Sequence, residues 1–305
     1  MVEAIFNDYY LNITVTTGIF IILALSLNLI NGFCGQFSLG HAGFWGVGAY
    51  CSAIYSVFYP LETHYSLNLI IAILIGFLSS AICGLIIGAS CLRLRGDYLA
   101  IATLGFGEII RIVFMNTEKV GGPRGFSNIP QWANVFWVYG FVILTVIFML
   151  NLKRSAFGRA IISIREDEIA AENMGVNLFG YKLFSFSVGA GIAGIAGALY
   201  SHTQTFIEPN GFGFMVSVII LVMIILGGLG SVTGAIIGTI ILMIFPEFLK
   251  YLGDIKGSEY WKEIPKFRMP IYAILLMVLM LFRPSGIFGS YEWGERKKMN
   301  KKAGV

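Results

Sequence analysis

The sequence predicts an all-α polytopic membrane protein of about eight to ten transmembrane helices. Glycine-rich broken or re-entrant segments and an internal duplication complete the predicted fold. Three observations carry it. Only 12% of the residues are charged and 57% are hydrophobic, whereas soluble domains carry about 25% charged residues. So little polar surface cannot cover a soluble fold of this length, and lipid is the natural solvent. Apolar runs recur at the ~20-residue length that crosses a ~30 Å hydrocarbon core. Finally, 37 of 305 residues are glycine, the residue that lets membrane helices approach backbone to backbone.

Taken in order, the apolar segments are 11–31, 40–58, 67–90, 98–115, 135–152, 178–200, 214–229, 232–247 and 267–283. They make 1–305 a single transmembrane domain with its embedded core at 11–283. The N-terminus, "MVEAIFNDYY", carries Glu3 and Asp8 and no Lys or Arg. A secretory signal needs a positive n-region, so the first apolar helix is expected to be retained. Two stretches then look alike: "NGFCGQFSLGHAGFWGVGAY" (31–50) and "LGGLGSVTGAIIGTI" (226–240). Each follows an apolar helix with a Gly/Ser break and a Gly-spaced helix, as in duplicated folds whose halves meet along a midplane path. The stretch "GGPRGFSNIP" (121–130) reads as an ordered, turn-rich loop.

Charge placement orients the chain. The net charge is +4, and nothing in its distribution suggests nucleic acid. If 153–177 is cytoplasmic, the basic tail 284–305, with "ERKKMNKK", shares its side when the crossings number nine, so the C-terminus is cytoplasmic. The bias is modest, because the basic loop 247–268 falls on the other side. Cys34, Cys51, Cys83 and Cys91 form no CxxC, and His41, His64 and His202 are far apart. Neither a metal site nor a disulfide framework is suggested, and no cofactor is expected.

One block breaks the apolar pattern. "GRAIISIREDEIAAENMGVN" (158–177) follows the uncharged "VFWVYGFVILTVIFML". Ser163 and Glu166 fit an S-x-x-E capping box, which predicts a helix from Ile164, and Gly175 is placed to stop it. The result is a helix of about eleven residues, too short to cross a bilayer. Arg165, Glu166, Asp167 and Glu168 surround one turn, so no whole flank can face lipid. Such a helix suits a protein socket; an ordinary solvated loop is the other reading.

Charge also enters the predicted span "RGDYLAIATLGFGEIIR". Glu108 lies eleven residues after Asp97, roughly 16 Å along a helix and near mid-bilayer. Arg111 at i+3 shares its face. The pair can line a polar path or lock this helix to a neighbour. Thr103 offers a path hydroxyl or bonds its own helix backbone. Ser38 and His41, in the first break, can likewise line a path or satisfy a broken backbone.

The block resembles the cytoplasmic coupling loop of ATP-binding-cassette (ABC) importer permeases, with the pattern E-A-A-x-x-x-G. Ala170, Ala171 and Gly175 match; the pattern's Glu falls on Ile169, and Glu168 stands one place early. The resemblance extends through "GQFSLGHAGFWGVGAY", "LRLRGDYLAIATLGFGEIIR", "GGPRGFSNIP", "YKLFSFSVGAGIAGIAGALY", "MIILGGLGSVTGAIIGTI" and "LFRPSGIFG". In this order they resemble the branched-chain amino acid ABC permeases of the LivM type. The resemblance implies a subunit in a bacterial or archaeal plasma membrane that forms the path for Leu, Ile and Val. It further implies a sister permease of the LivH type, two cytoplasmic ATPases and an extracytoplasmic binding protein. Arg165, Glu166, Asp167, Glu168, Ala170, Ala171, Glu172 and Gly175 would then be the ATPase-coupling loop. The path candidates are Ser38, His41, Thr103, Glu108 and Arg111. The chain has no G-x-x-x-x-G-K-[ST] phosphate loop, so ATP hydrolysis is expected in partners and the chain itself is expected to be no enzyme. The loops 121–130 and 250–268 are candidate docking surfaces for the binding protein. Two alternatives stand beside this reading: a permease for urea or short amides, and an ion-coupled secondary transporter using Glu108.

Overall fold

The computed structural model describes residues 8–61, 64–92, 94, 96–256, 286, 287 and 289, with the backbone alone for residue 8 and for 248–256. Eight of the nine apolar segments fall there, and all eight are helices. The ninth, 267–283, residues 257–268 of the docking candidate 250–268, and the basic tail from 290 lie outside the described residues, as do Arg93 and Arg95.

Helix α1 (Asp8–Leu27) ends in a π-helical turn, Asn28–Phe33. Helices α2 (His41–Phe58), α3 (Tyr65–Cys91), α4 (Asp97–Met115) and α5 (Val135–Arg154) follow. Two short helices, α6 (Ala156–Glu166) and α7 (Glu168–Asn173), precede α8 (Leu178–Gln204), α9 (Phe214–Gly227) and α10 (Val232–Lys256). Among the described residues, five stretches are long and apolar enough to cross a membrane: Tyr9–Phe33, Tyr65–Cys91, Asp97–Met115, Val135–Arg154 and Leu178–Gln204. The chain is therefore an all-α polytopic membrane protein.

Helix α8 sits at the centre, against α1, α2 and α3. Its small residues explain the position. A Cβ on Gly48 of α2 would collide with the Gly194 backbone, and one on Gly194 would collide with the Gly76 carbonyl of α3. Close approach brings hydroxyls within reach of neighbouring backbones: Ser80 Oγ donates to Phe44 O at 2.8 Å, and Ser187 Oγ to Ala81 O at 3.0 Å. Between membrane helices such hydrogen bonds and van der Waals packing replace the hydrophobic drive. Helices α3, α4 and α5 instead turn apolar side chains outward, among them Leu78, Ile82, Ile101, Ile109, Phe136 and Ile147.

At one end of the bundle, the loop after α4 is as ordered and turn-rich as its sequence suggests. It makes two 3-10 turns, Glu118–Val120 and Gly122–Arg124. An isolated antiparallel bridge then joins Phe126 to Ile207, and the Phe126 ring stacks on Phe58 at 6.0 Å. The charged block occupies the other end. Ile287 N donates to Leu226 O there at 2.9 Å, close to where α9 stops.

Both predicted breaks exist, but they differ in build. The first is narrower than its glycine-rich stretch: Gly43, Gly46 and Gly48 are already helical in α2. The second is the short turn 228–231 between α9 and α10. At 14 residues, α9 is ~21 Å long, short of a full crossing.

Candidate functional site

The charged block is two helices, not one. Ser155 caps α6, accepting from Gly158 N at 2.9 Å. Ser163 lies inside α6 and donates to Ala160 O, so the expected capping box at Ser163 and Glu166 does not form. Asp167 takes that role instead. Its backbone is extended (φ −157°, ψ 109°), and its carboxylate accepts from Ile169 N at 2.9 Å and Ala170 N at 3.0 Å. A carboxylate acceptor suits the positive end of a helix. Gly175 stops α7 as its sequence suggests, at φ +84°. Gly175 N bonds Glu172 O and Val176 N bonds Ala171 O, the paired bonds of a Schellman end.

The block has two faces. Glu166, Asp167, Ile169, Ala170, Glu172, Met174 and Gly175 are exposed, with Ile169 at 73% and Met174 at 84%. Ile161, Ile164 and Ala171 are buried within the chain. Ala171 therefore belongs to the inner face and not to an outward plug. Glu168 pairs with Lys182 of α8 at 2.5 Å, tying α7 to the bundle.

The inner face meets both glycine-rich breaks. Arg165 Nη1 donates to Gly32 O at 2.7 Å, while its other nitrogens hold Glu166. Lys153 Nζ, at the end of α5, donates to Gly230 O at 3.2 Å. Broken helices leave carbonyls without intrahelical donors, and cations are favourable at those ends. Asn28 joins the two breaks: its Nδ2 donates to Ser231 O at 3.0 Å, and its Oδ1 accepts from Gly230 N at 2.9 Å.

The path candidates occupy two places. Ser38, His41 and Thr103 are fully buried at the first break. There the exposed backbone amides find side chains from three other elements. Ser38 N donates to Asn31 Oδ1, Leu39 N to Thr103 Oγ1 and Ala42 N to Ser217 Oγ. His41 Nε2 lies 2.7 Å from Ser26 Oγ. Backbone without water needs such partners; Thr103 supplies one to Leu39 N, while His41 bonds Ser26 of α1. Glu108 and Arg111 form the pair expected from their spacing, at 2.7 Å, with Arg111 25% and Glu108 30% exposed. They also reach across: Glu108 Oε1 accepts from Phe214 N at 3.2 Å, and Arg111 Nη1 donates to Asn210 Oδ1 at 2.9 Å. The pair thus clamps α4 to the start of α9.

Sequence reasoning passed over Asn28, Asn31, Ser217 and Lys153. The two asparagines of "SLNLIN" carried a usable signal, because amides are costly at the end of a long apolar run unless they bond something. Ser217 offered none.

Fold and site together define a multi-pass membrane protein with a capped, charged block braced on two broken helices. A family model described as the branched-chain amino acid transport system / permease component matches residues 9–282. The chain belongs to this family of transport permease subunits. It is 34% identical over 311 residues to the high-affinity branched-chain amino acid transport system permease protein LivM of Escherichia coli, covering 90% of this chain and 69% of that protein. It is also 30% identical over 181 residues to E. coli LivH, covering 59% of this chain and 55% of that one. The Pseudomonas aeruginosa permease BraD is 33% identical over 153 residues, covering 50% of this chain and 46% of the relative. No solved structure matches the chain.

Proposed function

We propose that the chain is one of two permease subunits of an ABC importer and forms part of the path for leucine, isoleucine and valine. The relatives' printed names supply the substrate class, and the similarity to LivH supports a sister permease of the same build. Two ATPases drive it and an extracytoplasmic protein delivers the substrate. It sits in a bacterial or archaeal plasma membrane as a single permease domain, with 153–177 and the tail 284–305 in the cytoplasm. The Ile287 to Leu226 bond supports a tail that leaves from the same end as the block.

The observation that carries the reading is the block itself. Two capped helices hold Ile169, Ala170, Glu172 and Met174 outward while its inner face grips the breaks. Exposed apolar residues, Ile169 and Met174, set among the exposed acids Glu166, Asp167 and Glu172 suit a socket on another protein. The test is reconstitution with the co-encoded subunits in liposomes. ATP should drive leucine uptake only with the loaded binding protein, and Met174→Cys should crosslink to an ATPase subunit. Uptake driven by a proton or sodium gradient without ATPases would overturn the reading in favour of a secondary transporter. Uptake of urea or acetamide in place of leucine would overturn the substrate.

A further inference from the structure

We infer that Lys153 and Arg165 form a two-point latch which makes the charged block and both broken helix ends move as one body. The inference rests on the coupling reading above and says where the motion goes. Arg165 holds the end of α1 through Gly32 O, and Lys153 holds the end of α9 through Gly230 O. Asn28 bonds the breaks to each other, so the two grips act on one assembly.

The slot for Arg165 is built from glycine on both sides. Gly35 has φ +72°, and a Cβ there would lie 2.8 Å from Arg165 Cγ. Gly230 has φ +83°, and a Cβ there would run into the guanidinium. The Phe33 ring lies 6.0 Å from Lys153 Nζ, a contact from Lys153 to the first break as well. A solvated arginine at the end of a short loop helix needs no such fit. Two cations placed on two helix-end carbonyls, with no room for a side chain between, make a specific joint.

The joint has a defined lever. The turn that follows α9 is gripped at Gly230 by Lys153 and Asn28, and the helix's first residue by Glu108 of α4. A displacement of the block therefore loads α9 lengthwise against the Glu108–Arg111 clamp. Lys153 and Arg165 are positioning residues in this scheme and touch no substrate.

The experiment uses the complete reconstituted complex with its binding protein, comparing wild type, Arg165→Lys, Arg165→Gln and the double variant Lys153→Gln/Arg165→Gln. Met174→Cys crosslinking reports contact with the ATPases, and leucine moved per ATP hydrolysed reports coupling. The latch predicts retained crosslinking and continued hydrolysis in the double variant. Leucine per ATP should fall by about tenfold or more, the scale of losing charge-assisted bonds. Arg165→Lys should keep most of the wild-type ratio, because it still donates to Gly32 O. An unchanged ratio in the double variant overturns the latch while leaving the coupling reading intact. A Met174→Cys complex with Lys153 and Arg165 intact that neither crosslinks nor uses ATP for uptake overturns the coupling reading itself. A second measurement leaves the latch residues untouched. Spin labels at Arg159→Cys and Phe37→Cys should keep a constant distance through the ATP cycle, while the distance from Phe37→Cys to Ile86→Cys changes. A change between Arg159→Cys and Phe37→Cys would show block and break moving separately and would overturn the latch.

Discussion

Glu108 shows how a charge earns its place in a bilayer. Its carboxylate serves Arg111 with one oxygen and Phe214 N with the other. Removing it leaves a cation without its carboxylate and an unbonded amide at the start of α9. Both groups retain some exposure, which moderates the loss, and Glu108→Ala should cost about 1–3 kcal/mol. Glu108→Gln keeps an acceptor for Phe214 N and should recover part of that. Glu108→Gln with Arg111→Gln should recover wild-type levels in the membrane, because neither charge is then left alone. Melting in detergent ranks the three variants; equal melting of Glu108→Ala and wild type would rule out the clamp.

Among the elements, α6 and α7 are held by end chemistry more than by burial. Helices this short are unstable alone, so caps decide whether they persist. Asp167→Ala should cost about 1 kcal/mol. Faster hydrogen exchange at Ile169 and Ala170, the two amides it holds, would report the loss, with exchange in α8 unchanged. Gly175→Val should strain the end of α7 by about 1–2 kcal/mol through its backbone alone. No neighbour lies within 4 Å of a Cβ placed there. Gly175→Asn, which tolerates the left-handed region, should behave nearly as wild type in the same exchange measurement. A Gly175→Val protein exchanging like wild type would mean the Schellman end contributes nothing.

The molecule as a whole hangs on the crossing of α2, α8 and α3. Gly48, Gly194 and Gly76 lie where three backbones meet, and hydroxyls bond across the same surfaces. Gly194→Val should push α8 from both neighbours and lower the yield of monodisperse protein several-fold, in line with the ~1–3 kcal/mol cost of overpacking. Gly105, whose added Cβ meets nothing within 4 Å, provides the control, and Gly105→Ala should leave the yield unchanged. Size-exclusion profiles of the two variants separate close packing from a general intolerance of altered glycines.

Composition and periodicity alone determined that this chain is helical and crosses a membrane. Those properties follow from the solvent: every backbone group in lipid must bond within its own helix, so length and apolarity carry the signal. Gly175 was legible for a similar local reason, because a helix end needs φ > 0 within a few residues. The pairing of Glu108 with Arg111 followed from helical spacing. Only the tertiary structure decided what these groups face. Ala171 turns inward because Asp167 caps α7 just before Glu168, and Ser163 is no cap because Ser155 has already started α6 eight residues earlier. The meeting of Arg165 with Gly32 and of Lys153 with Gly230 joins residues 133 and 77 positions apart. Spacing within one helix cannot encode that meeting. It depends on two breaks arriving at the same end of the bundle, where their open carbonyls accept whatever donors the block presents.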